Sequence, residues 1–193
     1  MSESAAGGST ANGSVANEKA VGEGRRAGVK SLNHVAIGVS DLEASLRFYV
    51  EGLGMRKTLQ KQTSALTPEL MRLPEGTTGT TVFVQGDSRV GQIELVKWEL
   101  PPGDDGRPKR PGDFGMGQLS FPVALEDVGV IHERLVEMGY EVYSAPTTTT
   151  VKNYGPVTLF LCEDPDGIQI ELVALPSPET VREFRARAAA ENG

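Results

Sequence analysis

Four runs of this chain alternate apolar and polar residues with a period of two: SLNHVAIGV, GQIELVKW, GQLSFPV and GIQIELVAL. Side chains in a strand point to opposite faces in turn, so each run predicts a strand with one oily face. Val35, Ile37 and Val39 share a face, and His34 and Ala36 share the other. Ile93 and Leu95 oppose Glu94. Leu119, Phe121 and Val123 oppose Gln118 and Ser120. Ile168, Ile170 and Leu172 oppose Glu171. Each strand thus offers an apolar back to a core and one metal-capable group on its front.

The order of segments repeats. The first unit opens with a strand over 32–39. Ser40-Asp41-Leu42-Glu43 reads as a capping box with Ser40 as N-cap. Leu42, Leu46 and Tyr49 follow at helical spacing, and Gly52 and Gly54 end that helix. Strands are predicted around 55–60, 80–85 and 91–98. The second unit has a strand over 118–123 and a helical stripe of Val128, Ile131, Leu135 and Met138 that ends at Gly139. Strands are predicted around 141–144, 157–162 and 168–173. Asp164-Pro165-Asp166-Gly167 is a turn signal and makes the last two a hairpin. Each unit reads β-α-β-β-β. The predicted class is α+β, with a first module over 30–98 and a second over 114–175. A Pro-, Gly- and charge-rich connector spans 99–113. A C-terminal segment, 176–193, holds a helix with Ser177 as N-cap and Pro178 at its first position, and Val181, Phe184 and Ala188 to dock it.

Composition narrows the function classes. A chain of 193 residues, 38% hydrophobic, can bury a sizeable core. Its net charge of -7 argues against nucleic acid or an anionic membrane as partner. Cys162 is the only cysteine, which fits a reducing cytoplasm. No apolar run is long enough for a bilayer. The stretch 1–29 is rich in Ser, Ala, Gly and Asn, lacks the core of a secretory signal, and reads as a disordered tail. His132 falls one position past Ile131 and is expected to face solvent. Cys162 is expected to pack rather than react. Thr147 to Thr150, with Lys152, Asn153 and Tyr154, read as a polar loop placed to cover a site.

The stretches NHVAIGVSDLEASLRFYVEGLGM and FLCEDPDGIQIELV resemble the vicinal oxygen chelate superfamily of glyoxalase I, methylmalonyl-CoA epimerase, antibiotic-resistance proteins and extradiol dioxygenases. The resemblance covers about 32–175. It implies two βαβββ modules forming a cupped mixed sheet with helices outside. It also implies one metal ligand on the first and fourth strand of each module: His34 and Glu94, then Gln118 and Glu171. That set suits a divalent ion such as zinc, nickel, cobalt, manganese or iron. Extradiol and fosfomycin-type members use two histidines and a carboxylate, and here His132 sits on the wrong element. Glyoxalase I is closer in ligand pattern. Its three glutathione contacts, however, correspond here to Gly38, Trp98 and Phe114, so a ring-like or sugar-derived substrate over Trp98 and Phe114 fits better.

The implied chemistry is proton movement next to a carbonyl. An ion chelating two neighbouring oxygens acidifies the adjacent C–H and stabilises the enediolate that follows. Glu171 and Glu94 are the carboxylates placed to take and return that proton. The expectation is a metal-dependent epimerase or isomerase acting on a keto-sugar, cyclitol or acyl-CoA type of substrate. A glyoxalase-like lyase that does not use glutathione, and a non-catalytic binding or resistance protein, are the alternatives. A homodimer is expected, with the ligands contributed either by one chain or by two. The connector basics Arg107, Lys109 and Arg110, with Lys97, are candidates for holding an anion, against a solvated role.

Overall fold

The structure is a computed structural model and describes residues 31–64, 77–88, 90–99 and 117–191. Its contacts divide the chain into Met1–Ser31 and Leu32–Gly193, and every element below belongs to the second unit. The predicted tail, the connector from residue 100 onward (with Arg107, Lys109 and Arg110) and Phe114 lie outside the described residues.

Two four-stranded sheets follow one plan. β1 (His34–Gly38), β2 (Arg56–Ser64), β3 (Thr78–Gln85) and β4 (Gln92–Glu99) lie in the order β1-β4-β3-β2. β5 (Gln118–Pro122), β6 (Thr147–Val151), β7 (Gly155–Glu163) and β8 (Gln169–Ala174) lie in the order β5-β8-β7-β6. After the first strand of each module a helix carries the chain to the far edge, and the other three strands return as a meander. The last strand therefore arrives parallel to the first, and all other neighbours are antiparallel. The helices are α1 (Leu42–Leu46), continued by a wider π-helical turn (Arg47–Gly52), and α2 (Leu125–Glu137). The class is α+β, two βαβββ modules with mixed sheets. Among the described residues no helix is long and apolar enough to cross a membrane.

Local details correct several expectations. The N-cap of α1 is Asp41, one residue later than predicted: its carboxylate accepts the Ala44 N–H at 3.0 Å. Ser40 is otherwise engaged, its N–H donating to both carboxylate oxygens of Asp166 at 3.1 Å. The strand expected at 141–144 shrinks to one bridge between Val142 and Cys162. The threonine run expected to be a loop is β6, with every residue exposed. An edge strand wetted on both faces carries no apolar period, while β-branched threonine still suits the extended backbone. His132 is half-buried rather than fully solvent-facing; its ring meets Phe160 edge-on at 5.2 Å. It flanks the buried stripe of Val128, Ile131 and Leu135. α3 (Pro178–Glu191) begins as predicted, with Ser177 Oγ accepting the Thr180 N–H at 3.1 Å. It docks on β7 at Gly155, where an added Cβ would stand 3.3 Å from Thr180 and 3.5 Å from Phe184.

One core serves both modules. Val82, Val84 and Leu95 join Phe160, Ile170 and Leu172 in a single buried cluster. Cys162 is part of it, and burial pushes its thiol up to about 12, as suits a packing residue. The module boundary is stitched by specific contacts. Phe48 packs edge-on against Tyr140 at 4.9 Å. Gly52 leaves room for Leu135, whose Cδ2 would lie 2.8 Å from any Cβ there. The buried Tyr49 hydroxyl donates to Asp164 at 3.0 Å, in the β7–β8 turn. Burial, followed by the neighbouring Asp164 charge, raises the Tyr49 pKa.

Candidate metal centre

Register decides what each front-facing group meets. In the first module Ala36 stands opposite Glu94 and His34 opposite Gln92. His34 and Glu94 are thus diagonal neighbours on one face, and His34 Nε2 lies 3.3 Å from Glu94 Oε2. The other ring nitrogen, Nδ1, lies 2.7 Å from Asn33 Oδ1. An amide oxygen only accepts, so this contact puts the proton on Nδ1. In the neutral ring Nε2 is then a lone pair facing a carboxylate oxygen, and the two acceptors need a cation or a proton between them. Phe83, directly opposite Glu94 on β3, meets the imidazole edge-on at 5.6 Å and fixes its plane.

This pair fits a divalent ion. Two donor atoms about 2.1 Å from a common ion, at angles between octahedral and tetrahedral, stand roughly 3.0–3.4 Å apart. The observed 3.3 Å falls within that span. An Nδ1–H donated to an oxygen is also how a ligating imidazole is held in its tautomer.

The second module has the same register and a different outcome. Ser120 stands opposite Glu171, and its hydroxyl donates to Glu171 Oε2 at 2.5 Å. Gln118, two residues before, is exposed, and its side chain makes no hydrogen bond among the described residues. Farther along the same face the Tyr143 hydroxyl donates to Glu163 Oε1 at 2.5 Å. Burial, then that bond, raises the Tyr143 pKa. Among the described residues no three His, Cys, Asp or Glu side chains gather into a metal-holding group. The four predicted ligands therefore appear as one tight pair, His34 with Glu94, and a separate Glu171 held by Ser120.

Trp98 shares the face of Glu94 by alternation. Its indole lies across Gly79 of β3, where an added Cβ would be 3.0 Å from the ring and 2.6 Å from the Lys97 carbonyl oxygen. The Lys97 ammonium points elsewhere, donating to the Ser40 carbonyl at the start of α1. A cleft of about 760 Å³ runs between β1, β4 and β5. Val35, Ile93, Leu119, Phe121 and Leu172 form much of its wall, with polar Gln92 and Ser120. None of the four predicted ligands lines it, but Ser120 joins it to Glu171. Sequence reading missed Asn33, Phe83 and the Tyr143–Glu163 contact. Ser120 was visible on the front face, but its partner was not.

A family model for the Glyoxalase/Bleomycin resistance protein/Dioxygenase superfamily matches residues 31–172. The chain belongs to this superfamily. The uncharacterized protein YwkD of Bacillus subtilis (strain 168) is 31% identical over 144 residues, spanning 75% of this chain and 96% of that one. The uncharacterized protein YaeR of Escherichia coli (strain K12) is 29% identical over 145 residues, with the same two coverages of 75% and 96%. The fold is similar to that of a glyoxalase family protein from Bacillus cereus, at a TM-score of 0.65 and 19% identity, covering 79% of this chain and 98% of that one. A glyoxylase/bleomycin resistance protein/dioxygenase domain from Frankia sp. EAN1pec aligns at a TM-score of 0.53 and 22% identity, covering 77% and 100%. Superfamily members often bind divalent metals and small molecules.

Proposed function

We propose that this chain is a metal-dependent isomerase or epimerase that moves a proton next to a carbonyl in a small oxygenated substrate. The keto-sugar, cyclitol and acyl-CoA types are the substrate classes in view. The observation that carries the reading is the His34–Glu94 pair, with Nδ1–H committed to Asn33 and Nε2 facing the carboxylate at 3.3 Å. His34, Glu94, Gln118 and Glu171 would hold the ion. When bound, it supplies Lewis acidity to two neighbouring substrate oxygens and so acidifies the adjacent C–H.

The protein's own groups divide the remaining work. His34 and Glu94 are committed to each other and act as ligands. Glu171 has one oxygen held by Ser120, while its other oxygen meets no donor among the described residues. That free oxygen is the proton acceptor in this reading. Trp98 and Phe114 would form the apolar wall for the substrate body. Because His34 and Glu94 gather no third acid among the described residues, we place Gln118 and Glu171 of a second copy opposite them, in a homodimer. A symmetric dimer makes two such sites.

The test is solvent exchange. Protein loaded with manganese, nickel or zinc is incubated in deuterated water with hydroxy-ketones and acyl-CoAs, and deuterium beside the carbonyl is followed by NMR. Metal-dependent incorporation that disappears in Glu171→Gln, and that falls in Ser120→Ala while metal stays bound, supports the reading. Stoichiometric metal with no incorporation into any member of these classes would falsify the proton-transfer assignment.

A further inference from the structure

The front of the first module carries cations that the metal reading does not use. Arg56 stands opposite Gln85 at the start of β2, and Lys61 stands opposite Thr81 farther along. Phe83 lies between them on β3. The Arg56 guanidinium donates to Gln85 Oε1 at 2.9 Å, a neutral acceptor. The Lys61 ammonium reaches back over the Phe83 ring, 5.9 Å from its centroid. Among the described residues neither cation meets a carboxylate. The neighbouring Glu94 is already paired with His34.

Arg56 is also oriented. Gln92 Nε2 approaches the same Gln85 oxygen at 3.4 Å, and Gln92 belongs to the wall of the 760 Å³ cleft. A short amide chain thus links the guanidinium to the cleft, and among the described residues its other N–H groups meet no side-chain acceptor. The second module is opposite in character. There Glu163, held by Tyr143, stands across from Gln169 on the front face. A carboxylate at that place repels an anion, while Arg56 and Lys61 attract one.

We infer that the substrate carries an anionic group, a carboxylate or a phosphate monoester, which Arg56 and Lys61 bind beside Phe83 in the first module. This extends the proposed reading by naming a property of its substrate. Guanidinium and ammonium together suit an oxyanion: the first offers paired donors and the second a mobile point charge. The aromatic ring between them takes the flat or apolar part next to the anion. The anion thereby orients the substrate, with its charged end over the first module and away from Glu163.

The experiment is an NMR titration of the full-length, metal-free protein with benzoate, phenyl phosphate and neutral benzyl alcohol. Omitting metal separates this inference from the proton-transfer reading, because either can fail alone. Benzoate or phenyl phosphate is expected to shift signals around Phe83 and to bind several-fold more tightly than benzyl alcohol. Arg56→Gln and Lys61→Gln should each weaken the anions by roughly fivefold, the scale of one exposed ion pair, and leave benzyl alcohol unchanged. Glu163→Gln should not weaken them. The stronger of the two anions identifies the group. Equal binding of anion and alcohol, no shifts near Phe83, or unchanged affinity in both cation variants each overturns the inference.

Discussion

In the first module the fourth-strand glutamate meets an imidazole two residues along the neighbouring strand. In the second module the serine directly opposite takes the equivalent glutamate, and Gln118 is left exposed. The strand order and pairing are the same, and two differences on the first strand, Ala36 against Ser120 and His34 against Gln118, accompany the two outcomes. Alanine offers Glu94 nothing, so Glu94 turns to His34. Serine satisfies one oxygen of Glu171 at short range and holds it off Gln118. A repeated scaffold can therefore give its two halves different side-chain pairings without changing its strand order.

Mixing two variants, each broken in a different module, should give the largest effect. Glu94→Gln and Glu171→Gln should each abolish tight metal binding when measured alone by calorimetry. If the site spans two copies, a refolded equal mixture should recover roughly a quarter of the sites, since half the dimers then carry one intact site of two. No recovery would place all four ligands within one chain. A second prediction asks whether chemically distinct halves are mechanically separate. Leu135→Ala, in the second module, should destabilise by about 2–5 kcal/mol. Trp98, the only tryptophan, reports on the first module. Its fluorescence should lose midpoint together with far-UV circular dichroism in a urea titration; divergent midpoints would show two folding units.

Smaller effects refine the division of labour. Asn33→Ala frees the His34 tautomer and should weaken metal binding by about 10- to 100-fold. Ser120→Ala should weaken it far less while lowering proton exchange. Equal metal affinities for the two variants would erase the proposed difference in roles. The smallest effect is one of pH. Burial, the largest cause, raises the Asp164 carboxyl above its ordinary 3.8 against the pull of the Ile168 and Asp166 N–H groups and the Tyr49 hydroxyl. An acid with a raised folded pKa contributes stability that is full below 3.8 and is lost as pH climbs through the folded value. Wild type should therefore lose ground to Asp164→Asn as pH rises over that window, read from urea midpoints. A pH-independent difference would reject the assignment.

Alternation made the faces legible, because a half-buried strand writes its burial into every second residue. It placed His34 and Glu94 on one side and Val35 and Ile93 on the other, and the helical stripe of Val128, Ile131 and Leu135 was equally plain. β6 was illegible for the same reason, since with both faces wet its threonines carry no period. The partners of the site residues were hidden too. That Ser120 rather than Gln118 reaches Glu171 depends on inter-strand register, and register is a property of two segments 51 residues apart. Asn33, although adjacent to His34, gained meaning only once the ring orientation was known.

The contact between Tyr49 and Asp164 bears on how such a chain arose. A phenol buried in one repeat takes its acceptor from the turn of the other. The Ser40 amide likewise leans on Asp166 across the same boundary. A half-length ancestor with one repeat would have carried a donor and an acceptor that could not satisfy each other within itself. Self-association would have met both needs at once, and gene fusion would then have made permanent in one polypeptide what had depended on concentration.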